Sequence, residues 1–203
     1  MGKIIFVRVE VCGMGGKNLF EFQKAVTQSE IIKIMSNLTV RRTTAADLDD
    51  IIGMIQELAD FEKMPAGPQL TTIDLLRDGN FDSNSPTPLF YSFVAEIIED
   101  NKPKLVGYSI GFFTYSTWQG KAYLMEDIYV KPAYRMTGVG KKLFLENVKF
   151  ANEQNCSRFD FHVLDWNPAK GFYEKLGAEN LTKSEGWEFF RLNKEKMVNL
   201  CEN

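Results

Sequence analysis

The chain is poor in the residues that most often carry metal or nucleophilic chemistry. Its single histidine is His162. A histidine-based metal site or a serine–histidine triad would have to rest on that one side chain, which argues against both. Cysteine is scarce as well. Cys12, Cys156 and Cys201 are odd in number, widely spaced and without a C-x-x-C pair. They suggest neither a disulfide framework nor a zinc site, and they read as reduced thiols of a cytoplasmic protein. Basic excess is also missing, for the formal net charge is −3. A mildly acidic chain is a poor nucleic-acid binder, because phosphate contact needs a basic surface. No apolar run reaches the roughly 18 residues needed to span a bilayer, so no membrane partner is expected. The opening MGKIIFVRVEVCGMGG is cut by Arg8 and Glu10 and does not read as a secretory signal. Phe6 stands where a myristoylation signal would carry serine or threonine.

What is present suits one sizeable α/β domain with an appendage. Residues 1–38 differ from the rest. A strand is expected at 3–11 and a helix at 20–35, as an N-terminal appendage without assigned role. Residues 39–203 read as the domain proper. LTVRRTT reads as a strand. A helix follows, with Leu48, Ile51, Ile52, Ile55, Leu58 and Ala59 on one face and Thr44 as its N-cap. TIDLLRDG is a short helix ending at Gly79. Strands are expected at LFYSFVAEII, KLVGYSIGFFTYS and KAYLMEDIYV, the first two joined as a hairpin through EDNKPK. Val139, Leu143, Phe144, Val148 and Ala151 share a later helical face. RFDFHVLD is another strand. NPAKGFYEKLG is a short helix with Asn167 as N-cap and Pro168 at its first position, and GWEFFRL closes as a strand. The order gives a mixed, mostly antiparallel α/β sheet with flanking helices.

The stretch PAYRMTGVGKKLFLENV, residues 132–148, carries the chemistry. It is neither a Walker loop nor a dinucleotide fingerprint, because the glycine spacing fits neither. A helix start exposes unpaired N–H groups and partial positive charge. Glycines at 138 and 140 would let a ligand approach that backbone, and Arg135 adds a fork suited to phosphate oxygens. Two readings stand at this point. One is a pyrophosphate cradle; the other is a glycine-softened helix start beside a surface arginine.

Arg135, Gly138, Val139 and Gly140, with EDIYV before them and DWNPAKGFYEKLGA after, resemble the acetyl-CoA signature of the GNAT superfamily of N-acetyltransferases. ELADFEKM, FTYSTWQGK, MEDIYV, VLDWN and EGWEFF are together similar to the diamine acetyltransferase family, which includes spermidine/spermine acetyltransferases. YSTW, EDIYV and VLDWN resemble its thialysine-acetylating branch. The likeness covers roughly residues 39–193. It implies the acyl-CoA N-acyltransferase (GNAT) fold, acetyl-CoA as co-substrate, no metal, a small amine as acceptor and a homodimer.

The resemblance also implies roles. Ile128, Tyr129 and Val130 would line the pantetheine arm. Arg135, Met136, Thr137, Gly138, Val139, Gly140 and Lys141 would form the diphosphate loop, and Asn167 would touch the coenzyme. Met136 stands where many members carry glycine, and it would narrow the path. Glu126 would act as base through a water, and Tyr173 as acid toward the leaving thiolate. Adjacent strand residues point to opposite faces, so only one of Glu126 and Asp127 is expected in the cleft. Phe61, Glu62, Trp118, His162 and Glu185 would meet the amine, with Glu126. Ser116 replaces an acid common in the polyamine enzymes, which favours a shorter amine. Judged alone, each residue has a plainer reading: a paired surface carboxylate for Glu126, a core tyrosine for Tyr173, a helix cap for Asn167. Two rivals stay open, another amine acceptor such as an arylalkylamine or protein N-terminus, and a silent acyl-CoA-binding module.

Overall fold

The structure, a computed structural model, describes residues 26–82 and 87–202. The strand expected at 3–11, the start of the helix expected at 20–35 and Cys12 lie outside the described residues. Two compact units are present, one ending at His162 and the other beginning at Val163.

The first unit opens with helix α1, Gln28–Asn37. Thr27 and Glu30 start it as a complete capping box, the Thr27 N–H donating to Glu30 Oε2 at 2.8 Å and the Glu30 N–H to Thr27 Oγ1 at 3.2 Å. Strand β1, Leu38–Arg42, follows directly. A 3₁₀ turn at Ala45–Asp47 leads into helix α2, Leu48–Phe61. Thr44 therefore caps the turn rather than α2 itself, giving its N–H to Asp47 Oδ2 at 2.7 Å. Asp47 also takes both Nη atoms of Arg41, at 2.7 and 2.9 Å, and Arg41 reaches Glu96 at 2.6 Å. One guanidinium thus ties β1, the turn and the next strand together.

Helix α3, Thr72–Asp78, precedes strands β2, Tyr91–Glu99, β3, Lys102–Ser116, and β4, Gly120–Val130. Helix α4, Val139–Glu153, then returns to strand β5, Phe159–Phe161. The sheet order is β1-β2-β3-β4-β5. The first three pairings are antiparallel, and β4 with β5 is parallel. The β2–β3 hairpin closes on two residues, Asp100 at φ 50° and Asn101 at φ 59°. Two left-handed residues match the strand twist, and Asp and Asn tolerate that conformation best among non-glycines.

Each face of the sheet is covered chiefly by one long helix. On one face Phe93, Ala95 and Val106 pack with Val139 and Leu143 of α4. On the other, Leu48, Ile51 and Met54 of α2 pack with Val94, Tyr108 and Tyr129. Burying each such aliphatic side chain stabilises by about 1.5–3 kcal/mol, enough to fix which way each strand faces. Asn147 is buried in α4 beside the expected apolar stripe, its amide donating to Ser109 Oγ at 2.7 Å.

One irregularity shapes everything downstream. Ile110 pairs with Asp127 and Gly111 with Met125, so Glu126 has no partner and forms a bulge in β4. Tyr123 and Tyr129 are an even number apart, yet they lie on opposite faces. Tyr123 packs its ring against Phe150 of α4, whereas Tyr129 packs with Leu48 and Ile51 of α2. The bulge has reversed the alternation between them.

Three expectations are corrected. The strand at RFDFHVLD shrinks to Phe159–Phe161, which pairs only with Tyr123–Met125. That ladder ends at the residue before the bulge, where β4 changes course. In the second unit, helix α5 spans Lys170–Lys175 rather than starting at Pro168. Asn167 instead folds a turn ahead of it, its Oδ1 accepting from the Ala169 N–H at 2.9 Å and its carbonyl from Lys170 at 3.2 Å. Helices α6, Leu181–Ser184, and α7, Lys194–Cys201, follow. GWEFFRL forms no strand, and Trp187, Phe189 and Phe190 are exposed. Alternation names a face, but a strand also needs a ladder partner, and the described residues of this unit contain none.

Candidate active site

Among the described residues, helices α1, α3, α6 and α7 have side-chain oxygens that cap their first turns, from Thr27, Thr71, Asn180 and Asn193. Helices α2, α4 and α5 have no such cap; in the long helix α4, Gly138 occupies the position with φ 99°. The first N–H groups of α4 point out of the helix end with no side-chain acceptor supplied, and the helix dipole adds to their pull on an anion.

The two glycines do different work. Gly138 is left-handed, and a Cβ there would stand 3.2 Å from the Met35 sulfur. The fold itself asks for glycine at that place. Gly140 has no positive φ, and a Cβ there would meet nothing nearer than Val130 at 3.6 Å, an ordinary contact. Nothing among the described residues requires glycine at 140. The space left open lies at the helix mouth.

The approach to that mouth is equally open. Beyond Met125, β4 pairs with β3 alone among the described residues, so Glu126 to Val130 lack a strand on the β5 side. An extended ligand could lie along such an edge as an added strand. Ile128 and Val130 turn their side chains into the α4 core, which leaves backbone at the edge.

Between strand and helix, the loop is pinned. Arg135 Nε donates to the Val130 carbonyl at 2.8 Å, and its guanidinium lies over the rings of Phe61, at 4.9 Å, and Tyr129, at 5.3 Å. Thr137 is buried and donates to the Tyr134 carbonyl at 2.6 Å, so its side chain serves the loop. Met136 has φ 62°, where glycine would be unstrained, and its side chain is 71% exposed. Lys141 is exposed on the first turn.

A polar group under the same strand was not foreseen. Asp127 is half-buried and accepts from the Tyr108 hydroxyl at 3.0 Å. Burial pushes its carboxyl above the usual range; the Tyr108 bond opposes this and the Glu126 charge adds to it. Glu62, at the end of α2, is raised by burial and then by the charge of Asp127. Glu57 accepts from the Tyr129 hydroxyl at 2.9 Å, and burial with that bond pushes the Tyr129 phenol up to about 12. Phe61, Glu62, Asp127, Tyr129 and Arg135 thus meet where α2 ends against β4. Glu126 itself is exposed at the bulge. Strict alternation does not hold there, so opposite faces cannot be assigned to Glu126 and Asp127 by parity. A bulge leaves no reliable mark in sequence, which is why Asp127 was passed over.

Trp118 stands 84% exposed on the β3–β4 turn, its backbone N–H donating to Ser116 Oγ at 3.2 Å. Ser116 is buried, and Arg158 Nη1 lies 3.5 Å from the same hydroxyl. His162 is exposed just past β5. In the second unit, Tyr173 is buried on α5 with its ring 5.0 Å from that of Phe172, and burial pushes its phenol up to about 12. Glu185 accepts from the Trp187 indole N–H.

Comparison with known proteins gives this geometry a context. Residues 45–178 match the model of the acetyltransferase (GNAT) family. A mouse thialysine N-epsilon-acetyltransferase is 42% identical over 172 residues, covering 82% of this chain and 99% of the relative. A human spermidine/spermine N(1)-acetyltransferase-like protein 1 is 36% identical over 171 residues, covering 82% of this chain and 24% of that protein. Among solved structures, an aminoglycoside acetyltransferase from an uncultured soil metagenomic sample superposes with a TM-score of 0.62 at 21% identity, covering 79% of this chain and 99% of that one.

Proposed function

The chain belongs to the acetyltransferase (GNAT) family, and from that premise we propose that it transfers the acetyl group of acetyl-CoA directly to a primary amine of a small molecule, thialysine or a short diamine. One observation carries the reading. The uncapped start of α4, with glycine at 140 where the fold has room for a side chain, follows a strand whose outer edge is open from Glu126 to Val130.

When bound, acetyl-CoA supplies the activated thioester. The amides of Val139 and Gly140 would hold its diphosphate, and the edge of Ile128, Tyr129 and Val130 its extended arm. Lys141 adds positive charge at that turn. An alkyl amine has a pKa near 10 and must lose a proton before it attacks. Glu126, exposed at the bulge, is the base and works through a water. Tyr173 returns a proton to the thiolate; its raised phenol keeps that proton at neutral pH. Glu62 and Glu185 draw the cationic acceptor, while Phe61, Trp118 and His162 line its path. No covalent enzyme intermediate is needed.

The relatives named for thialysine support the acceptor class. Ser116 adds to it. A hydroxyl beside Arg158 offers no negative charge there for the far end of a long polycation. The remaining assignments are a homodimer and a cytoplasmic setting, with residues 1–38 as an appendage to the catalytic domain.

The test is release of free CoA thiol by purified protein across a panel of amines. Turnover that saturates with thialysine or a short diamine, and not with arylalkylamines or peptides, is expected. Preference for either of those groups would replace the acceptor. Coenzyme binding with no thiol release for any amine would leave a silent binding module.

A further inference from the structure

The start of α4 rests on a short segment that lies ahead of the family-matched residues 45–178. Three contacts converge from residues 35–38 onto residues 138–143. The Met35 sulfur fills the side-chain side of Gly138, 3.2 Å from where a Cβ would project. Leu38 is buried with Val139 and Leu143 in one cluster, and Ile34 and Met35 pack against it. Lys142 Nζ donates to the Leu38 carbonyl at 2.6 Å.

Helix α1 has none of its residues buried, yet its start is fully capped and its last turn is fixed on that cluster. Gly138 is the N-cap of α4 against which this packing lies. A left-handed glycine between two ordinary residues has wide freedom in the unfolded and the loosened state. Its orientation decides where the amides of Val139 and Gly140 aim. No side chain of α4's own N-cap restrains it. Among the described residues, the Met35 thioether is the neighbour in contact range on that side, and an unbranched thioether fits the irregular gap.

We propose that Met35 is a positioning residue for the coenzyme: pressed against Gly138, it sets the N–H array of α4 to receive the diphosphate. The inference rests on the acetyl-CoA reading above and adds a dependence of that site on α1. Met35 touches the loop and not the acceptor amine, so its effect falls on coenzyme affinity. Trimming it would leave Gly138 free to sample other conformations, and binding would then have to order the loop.

The experiment measures acetyl-CoA Kd by calorimetry and steady-state kinetics on the full chain and on Met35→Ala, Met35→Leu and Ile34→Ala. Met35→Ala is expected to raise Kd and the KM for acetyl-CoA roughly fivefold, with kcat and the amine KM unchanged. Met35→Leu is expected to restore most of the loss. Ile34 packs on the same cluster away from Gly138, so Ile34→Ala should lower the melting temperature without moving Kd. If the unaltered chain fails to bind acetyl-CoA, the function reading falls and takes this inference with it. If the unaltered chain binds and Met35→Ala binds equally well, the inference alone is overturned. It is likewise overturned if Ile34→Ala weakens binding in proportion to its loss of stability, since Met35 would then be ordinary packing.

Discussion

The Tyr108 hydroxyl donates to Asp127 Oδ2 at 3.0 Å across the β3–β4 ladder, one residue past the bulge at Glu126. Without that bulge, the carboxyl of Asp127 would lie on the α4 face of the sheet. With it, Asp127 lies with Tyr108 on the α2 side, and its charge raises the carboxyl of Glu62. Two carboxylates in one half-buried place cost stability when both are ionised.

A pH dependence follows from that placement. The Asp127 carboxyl is raised chiefly by burial, so the folded state holds its proton at a pH where the unfolded chain has lost it. Stability from this group is therefore full below the unfolded pKa and falls as pH rises through the folded one. Asp127→Asn keeps an acceptor for Tyr108 and removes the charge. Its melting temperature should exceed that of the unaltered protein at neutral pH, and the gap should close near about pH 3. An equal loss of stability at both pH values would show that the shape of the carboxyl group, rather than its charge, governs stability there.

Gly140→Ala separates folding from binding. Alanine in the first turn of a helix is favoured over glycine by up to about 1 kcal/mol, and the nearest atom stands 3.6 Å away. The melting temperature should hold or rise slightly. Acetyl-CoA affinity should fall about tenfold or more, because the new methyl stands at the amides the diphosphate needs. Unchanged affinity would mean that the anion is held elsewhere.

Much of the fold was legible because local chemistry agreed with the global result. The hairpin within EDNKPK, most of the α2 stripe and the amphipathic α4 followed from turn residues and periodicity, although the expected stripe omitted the buried Met54. The uncapped, glycine-opened start of α4 was legible only through glycine spacing and its context. The failures share a cause. The short β5, the missing strand at 186–192 and the pairing of Asp127 with Tyr108 depend on which backbone finds a partner. That choice is made by non-local geometry and leaves no period in the sequence. Met35 was passed over for a related reason: its importance comes from lying against Gly138, about a hundred residues further along the chain.

Met136 tests the cost of departing from glycine after Arg135. Its φ of 62° is strained for a side-chain-bearing residue by about 1–2 kcal/mol, while glycine would give back part of that gain as unfolded-state entropy. Met136→Gly should change stability by less than about 1 kcal/mol. Met136→Val should lose about 1–2 kcal/mol, because a β-branched residue fits the left-handed region worst. Denaturant unfolding of the three proteins measures this directly. Equal stability of the valine variant would mean that the loop relaxes out of the left-handed conformation.

Tyr173→Phe addresses proton return to the thiolate. The phenol is buried and pushed up to about 12, so it stays protonated across the whole working range and adds no alkaline-limb fall in rate there. Phenylalanine keeps the ring and its packing against Phe172 while removing the only proton it could give. Thiol release should drop by about a hundredfold or more, with acetyl-CoA Kd unchanged, because general acid catalysis is worth roughly 10²–10⁴. If an acid is needed at the departing sulfur, the loss should shrink for coenzyme analogues whose leaving thiol is more acidic, since a better leaving group needs less help. A loss that is the same for every leaving group would assign Tyr173 to packing, and full turnover in the variant would remove it from the reaction.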